Sequence, residues 1–79
     1  MSEDDRGGKQ MSTFLIKKGD YLCGLAATHS QGMEHDKAKN FYLQAASWYK
    51  KGNATEKMNE ALKKAKEEDQ KLKQSPQNP

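Results

Sequence analysis

Apolar residues recur at helical spacing through most of this 79-residue chain, and no segment shows the sustained apolar–polar alternation of a β-strand. Three such stretches predict helices at about 13–30, 36–51 and 53–73. Because a chain of this length allows only one small domain, these helices must share one core. We therefore predict an all-α, three-helix domain over residues 12–73, in which an antiparallel helical hairpin is capped by the third helix.

The two ends of the chain are almost wholly polar and predict disorder. Residues 1–11 contain two adjacent glycines, and residues 74–79 carry both prolines of the chain. Segments of this composition bury too little apolar surface to offset the entropy cost of ordering the backbone. We expect a disordered leader and a disordered tail on either side of the domain.

Polar residues near the ends of the three stretches predict where the helices begin and end. Asp20 follows a glycine and could begin a new helix as its N-cap, which would split the first stretch. Asp36 is the expected N-cap of the second helix, and Gly52 its expected C′ residue. Asn53, three residues before Glu56, predicts a capping box at the start of the third helix.

The second predicted helix carries more apolar residues than one core-facing stripe needs. Leu43, Ala46 and Trp48 lie outside the stripe, so they predict either a surface for a partner or a second copy, or a face covered by the third helix. The stripe itself consists of Ala38, Phe41, Tyr42, Ala45 and Tyr49.

The segment Lys17–Asp20 recurs as Lys50–Asn53, at an offset of 33 residues. A period of this length with two helices per repeat is typical of helix-turn-helix solenoids, although a lysine-rich chain can repeat such a step by coincidence. Small and aromatic residues also match the tetratricopeptide-repeat (TPR) pattern, and the chain resembles that family over about residues 20–51. The matching residues are Leu22, Leu25, Ala26 and His29, followed by Ala38, Tyr42 and Ala45.

The resemblance to TPR domains implies a groove between helices that binds a peptide. Some TPR domains clamp a C-terminal carboxylate with a Lys/Asn pattern, but Cys23 and Ala27 occupy those positions here, so a receptor for chaperone tails is not implied. The groove-lining positions that the resemblance implies are Asp20, Cys23, Ala27, Asn53, Glu56 and Glu60.

The chain is also similar to microtubule-interacting-and-trafficking (MIT) domains, which are three-helix bundles of about this size. The Ala–Tyr–Ala spacing of the second helix matches their middle helix, and Glu60, Leu62 and Ala65 match the core of their third helix. The segment from Ala45 to Leu62 is short for that family. This second resemblance implies a partner helix bound between the second and third helices.

The basic charge of the chain does not by itself predict a nucleic-acid partner. The net charge of +3 arises from 14 Lys+Arg and 11 Asp+Glu, and every basic residue except Arg6 is lysine. Nucleic-acid readers favour arginine, and lysines interleaved with acids are typical of a solvated helix face. The steps Lys17-Lys18 and Lys50-Lys51 are too short to form a polybasic tract.

No combination of residues predicts catalysis or metal binding. The two histidines are His29, on the stripe of the first helix, and His35, in the following turn, and the single cysteine, Cys23, lies off the His29 face. We therefore expect a protein that is not an enzyme and that uses no cofactor and no metal.

These features predict a non-catalytic protein–protein interaction module that binds a partner helix or an extended peptide in a groove between helices. Self-association into a homo-oligomer is possible, and a basic nucleic-acid- or ribosome-associated helical protein is the alternative. No run of about 18 apolar residues predicts a membrane span, and the first residues do not resemble a secretory signal. We therefore expect an intracellular, cytoplasmic protein.

Overall fold

The computed structural model describes the backbone of residues 3–74 and the side chains of residues 11–74. These residues form three helices, α1 Glu3–Gln31, α2 His35–Lys51 and α3 Thr55–Gln74, and none of them lies in a strand. α2 packs against α1 on one side and against α3 on the other. The predicted all-α, three-helix arrangement is therefore confirmed. No helix in the described part is long and apolar enough to cross a membrane.

The first helix is longer than its apolar pattern indicates. Residues 3–11, predicted to be a disordered leader, are the first turns of α1. A helix that is nucleated by its packed turns propagates at one hydrogen bond per added residue, so it does not need apolar residues in every turn. Residues 75–79 of the predicted tail lie outside the described residues, and Gln74 is the last residue of α3.

α1 also continues without a break through Gly19 and Asp20, so the predicted N-cap at Asp20 is wrong. Gly19 is buried against α2, and a Cβ atom at this position would lie only 2.6 Å from Cε1 of Tyr49. The glycine therefore allows α1 and α2 to approach each other. Since Lys17–Asp20 lies inside a helix and Lys50–Asn53 ends one, the two segments are not equivalent, and the proposed 33-residue repeat is wrong.

The α1–α2 turn is a Schellman motif that ends α1. The amide of Glu34 donates to the carbonyl of His29 (2.8 Å), and the amide of Met33 donates to the carbonyl of Ser30 (3.0 Å). Met33 adopts the left-handed conformation at φ 67°. Glu34 is then the N-cap of α2 but makes no side-chain cap hydrogen bond, so the predicted N-cap, Asp36, lies in the first turn instead.

The α2–α3 turn has the same hydrogen bonds. The amide of Ala54 donates to the carbonyl of Tyr49 (2.9 Å), and that of Asn53 donates to the carbonyl of Lys50 (3.0 Å). Asn53 is the left-handed residue at φ 60°, whereas Gly52 is the C-cap at φ −89°. Asn53 is therefore the C′ residue of α2 and does not begin a capping box. Gly52, which was predicted to be the C′ residue, is the C-cap instead.

Small side chains and two tyrosines form the core. Among the described side chains, nine apolar residues are buried. Six of them are alanine, which lets the helices pack closely, and the two tyrosines fill the space that remains. As predicted, Tyr42 is buried while Leu43 is 41% exposed. Ala46, predicted to lie outside the core stripe, is buried in a cluster with α3. The nine residues are Leu22, Ala26, Ala38, Tyr42, Ala45, Ala46, Tyr49, Ala61 and Ala65.

Candidate functional site

α1 and α3 face each other across α2 and leave an open cavity of about 330 Å³, which we call the α1–α3 groove. Tyr42 and Tyr49 of α2 and Ala61 of α3 form its base. Because these residues belong to the core, the base of the groove is preformed by the packing of the three helices. Its walls are formed by Cys23, Gly24 and Ala27 of α1 and by Lys57, Glu60 and Lys64 of α3.

The α1 wall of this groove consists of short side chains. Gly24 and Ala27 are exposed, and a Cβ atom added at Gly24 would meet no atom within 4 Å. Since glycine in a helix interior costs about 1 kcal/mol relative to alanine, Gly24 weakens α1 without any packing requirement inside this chain. The short wall leaves room for a side chain from another molecule above the tyrosines.

A polar cluster joins the three helices at one end of the groove. Tyr49 donates its hydroxyl hydrogen to Oδ1 of Asp20 (2.5 Å), and Lys57 Nζ lies 3.1 Å from the same oxygen. The Tyr49 hydroxyl also lies 3.6 Å from Sγ of Cys23. The hydrogen bond from Tyr49, with help from Lys57, holds the pKa of Asp20 below its usual value. Burial and the hydrogen bond to Asp20 raise the pKa of Tyr49, so neither group exchanges its proton near neutral pH.

A second polar cluster joins the helices near the α1–α2 turn. Glu68 of α3 is only 5% exposed, and its carboxylate accepts hydrogen bonds from Ser30 (2.8 Å) and from Nδ1 of His35 (2.6 Å). Burial favours a raised pKa for Glu68, but the hydrogen bonds from His35 and Ser30 outweigh it and hold the pKa below its usual value. Ser30 and His35 each bond to Glu68 and not to each other, so the three side chains do not have the Ser–His–carboxylate order of a catalytic triad.

The apolar pattern does not predict this second cluster. In the sequence, Glu68 is the middle residue of an acidic run, Glu67–Asp69, which interrupts the apolar stripe of α3. The spacing of Glu68 could have indicated that it is buried, since Glu68 follows the buried Ala61 and Ala65 at the next position of the same stripe.

Within the described residues, no group of three His, Cys, Asp or Glu side chains is arranged to hold a metal ion.

The structure separates the residues that the TPR resemblance places in one groove. Cys23, Ala27 and Glu60 line the α1–α3 groove, and Asp20 belongs to the polar cluster at its end. Asn53 and Glu56 lie elsewhere, around a cavity of about 410 Å³ beside the α2–α3 turn.

The three apolar residues predicted to lie outside the stripe of α2 do not form one surface. Leu43 and Ala46 border a cavity of about 450 Å³ between α2 and α3, together with Met58 and Leu62 of α3. Trp48 lies on the other side of α2, where Lys18 of α1 contacts its ring. Five residues along a helix turn the side chain by about 140°, which explains why Leu43 and Trp48 diverge.

No family model, curated protein or solved structure matches this chain. The three-helix arrangement fits both the TPR-like and the MIT-like expectation and does not distinguish between them.

Proposed function

We propose that the chain is a non-catalytic protein-interaction module and that a partner helix or an extended peptide binds in the α1–α3 groove. One observation carries this proposal: the groove has a rigid, aromatic base and a wall of short side chains that nothing in the described part of the chain fills. An apolar side chain of the partner would pack on Tyr42 and Tyr49, as anchor residues do in other peptide-binding grooves.

Charges on the α3 wall would set the orientation of the peptide. Lys57 pairs with Asp20 across the end of the groove. Glu60 and Lys64 form no salt bridge among the described residues, and they stand one helical turn apart on the same wall. A peptide with a basic residue opposite Glu60 and an acidic residue opposite Lys64 fits this wall in one direction only, because the reverse direction opposes like charges.

The position of the groove favours a TPR-like over an MIT-like mode of binding. The MIT resemblance implies a partner between α2 and α3, where Leu43 and Leu62 border the other cavity. That cavity lacks an aromatic residue, whereas two tyrosines form the base of the α1–α3 groove. We therefore place the partner between α1 and α3.

A peptide library selected against the protein, followed by titration of two groove variants, tests this proposal. Ala27→Glu puts a carboxylate into the α1–α3 groove, and Leu62→Glu puts one into the α2–α3 cavity. We expect Ala27→Glu to weaken peptide binding by roughly tenfold or more, because binding would bury an unpaired charge. Leu62→Glu should leave the affinity unchanged.

Thr28→Glu is the matched control, since Thr28 is exposed and follows Ala27 on a different side of α1. Circular dichroism of all three variants shows whether each one still folds. If Leu62→Glu abolishes binding and Ala27→Glu does not, the partner binds in the MIT-like position. Failure to select any peptide that depends on either cavity contradicts the proposed function.

A further inference from the structure

The fold brings together the two Lys-Lys steps that lie far apart in the sequence. Lys18 of α1 and Lys51 of α2 both approach the ring of Trp48, with their Nζ atoms 5.6 and 4.8 Å from the ring centroid. Lys17 is exposed one turn before Tyr21 on α1, so three lysines lie on this side of the α1–α2 pair, whereas Lys50 borders the α2–α3 cavity. Each Lys-Lys step alone is too short to attract an anionic partner, but Lys17, Lys18 and Lys51 together form one basic patch.

A row of exposed apolar residues runs along α1 beside these lysines. Met11, Phe14 and Tyr21 are 60%, 60% and 64% exposed. They occupy positions spaced by three and seven residues, and Lys18 lies between Phe14 and Tyr21 on the same face. Lys18, which contacts the ring of Trp48, joins this row to the indole. We call the combined surface the α1–Trp48 face; it consists of Met11, Phe14, Lys17, Lys18, Tyr21, Trp48 and Lys51.

Acidic residues are missing from the sequence around this face. Residues 6–19 and residues 37–55 contain no Asp or Glu. Among the described side chains, none of the three lysines of the face forms a salt bridge, whereas Lys37, Lys39 and Lys57 all do. The positive charge of the α1–Trp48 face is therefore not neutralised within the described part of the chain.

We propose that the α1–Trp48 face binds the surface of an anionic lipid membrane. Amphipathic helices that lie in the membrane interface combine exposed aromatic and aliphatic side chains with flanking lysines, and this face has that composition. Met11, Phe14 and Tyr21 enter the headgroup region, while the lysines reach the lipid phosphates and carboxylates. The protein lies on the membrane and does not span it.

The side chains of the α1–Trp48 face favour binding to a lipid surface over binding to single-stranded nucleic acid. Proteins that bind single strands stack bases on free aromatic rings within a basic groove. Here two lysines cover the indole of Trp48, and two of the exposed apolar residues, Met11 and Phe14, have no hydrogen-bonding group. All three cations of the face are lysine, which lacks the planar group that arginine uses for bidentate contacts to phosphate.

This face is separate from the α1–α3 groove. Lys18 and Ala27 are nine residues apart on α1, which places them on opposite sides of the helix. The inference therefore does not depend on the proposed peptide binding, and variants of one surface leave the other intact.

Vesicle binding of the full chain tests the inference. The probes are phosphatidylcholine vesicles with and without about 30% phosphatidylserine, because the lysines respond to anionic lipid. Co-sedimentation measures the partition coefficient, and the fluorescence of Trp48, the single tryptophan, reports contact with lipid. We expect binding to the phosphatidylserine vesicles, a blue shift of the emission, and weaker binding at higher salt.

Two variants and one control locate the binding surface. Lys17→Ala/Lys18→Ala should lower the partition coefficient by about 25-fold, at about fivefold per lysine near an anionic surface. Phe14→Ser removes an inserting side chain and should also weaken binding. Lys63→Ala/Lys66→Ala removes the same charge from exposed positions of α3 and should change binding by less than about threefold, since neither lysine belongs to the α1–Trp48 face or lines the α1–α3 groove.

Three outcomes overturn the inference. The first is equal or absent binding of the unmodified protein to the two kinds of vesicle. The second is an equal loss of binding in the Lys63→Ala/Lys66→Ala control, which would indicate net charge rather than this face. The third is binding to a single-stranded oligonucleotide that depends on Lys17 and Lys18, with no binding to vesicles. If Phe14→Ser fails to fold, the lysine variants still decide among these outcomes.

Discussion

At the scale of single residues, each of the two turns places a non-glycine residue in the left-handed backbone conformation, which glycine adopts more easily. Met33 and Asn53 are both left-handed, while the glycine of each turn stands one position earlier. For a residue with a Cβ atom the left-handed conformation costs roughly 1–2 kcal/mol, and asparagine tolerates it better than methionine does. The α1–α2 turn is therefore the more strained of the two.

Met33→Gly should stabilise the protein. It removes the left-handed strain and loses few contacts, because Met33 is 77% exposed. The greater backbone entropy of glycine in the unfolded chain offsets part of the gain, so we expect about 0.5–1 kcal/mol and a melting midpoint higher by about 2–6 °C. Asn53→Gly should gain less, and Met33→Ala should gain nothing because alanine keeps the strain. A thermal melt in which Met33→Ala stabilises as much as Met33→Gly would contradict this explanation.

At the scale of the helices, α1 contains two glycines that the sequence alone does not distinguish. Glycine weakens a helix interior at either position, yet Gly19 lies against Tyr49 and Gly24 lies beside open space. Tyr49 cannot move aside without losing its hydrogen bond to Asp20. The contact between α1 and α2 therefore depends on Gly19 and not on Gly24.

Gly19→Ala and Gly24→Ala should change stability in opposite directions. Alanine gains about 1 kcal/mol of helix propensity at either position. At Gly19 the new Cβ atom would lie 2.6 Å from Cε1 of Tyr49, and relieving that overlap costs about 1–3 kcal/mol, so the net effect is destabilising. Gly24→Ala has no such contact and should raise the melting midpoint. A higher midpoint for both variants would show that α1 and α2 have room to separate.

At the scale of the whole molecule, the sequence predicts those parts of the fold that follow from local periodicity. The apolar stripes of α2 and α3 place Tyr42 in the core and Leu43 on the surface, as the structure has them. The role of Gly19 could not be predicted in this way, because it depends on the contact between α1 and α2. The first turns of α1 could not be predicted either, because they carry no apolar stripe. The residues of the α2–α3 turn were placed one position off, since an asparagine can either begin a helix or end one.

The candidate sites depend even more on tertiary contacts. Cys23, Ala27 and Glu60, which the TPR resemblance implied, line the α1–α3 groove, whereas Asn53 and Glu56, which it also implied, lie beside the α2–α3 turn. The contact of Lys18 with Trp48 joins residues 30 positions apart, and only the packing of α1 on α2 brings them together, whereas Lys51 reaches the ring from within α2. The second polar cluster likewise depends on packing, because Glu68 lies more than 30 positions after Ser30 and His35 in the chain.

Acid should unfold the protein partly through Glu68, which joins all three helices. Its pKa in the folded state is lower than its ordinary value of 4.5, so its ionised form stabilises the fold above pH 4.5, and that stability is lost as the pH falls through the lower, folded pKa. Glu68→Gln keeps the shape of the side chain but removes the charge. At neutral pH it should cost about 1–3 kcal/mol, the value of hydrogen bonds to a buried charged group. Its unfolding free energy should then fall less steeply below pH 4.5 than that of the unmodified protein.

Glu67→Gln, at the exposed neighbouring position, should keep the original stability and pH profile. Denaturant titrations of the three proteins from pH 7 to pH 3 measure both effects, and identical profiles for Glu68→Gln and the unmodified protein would show that Glu68 does not carry the acid sensitivity.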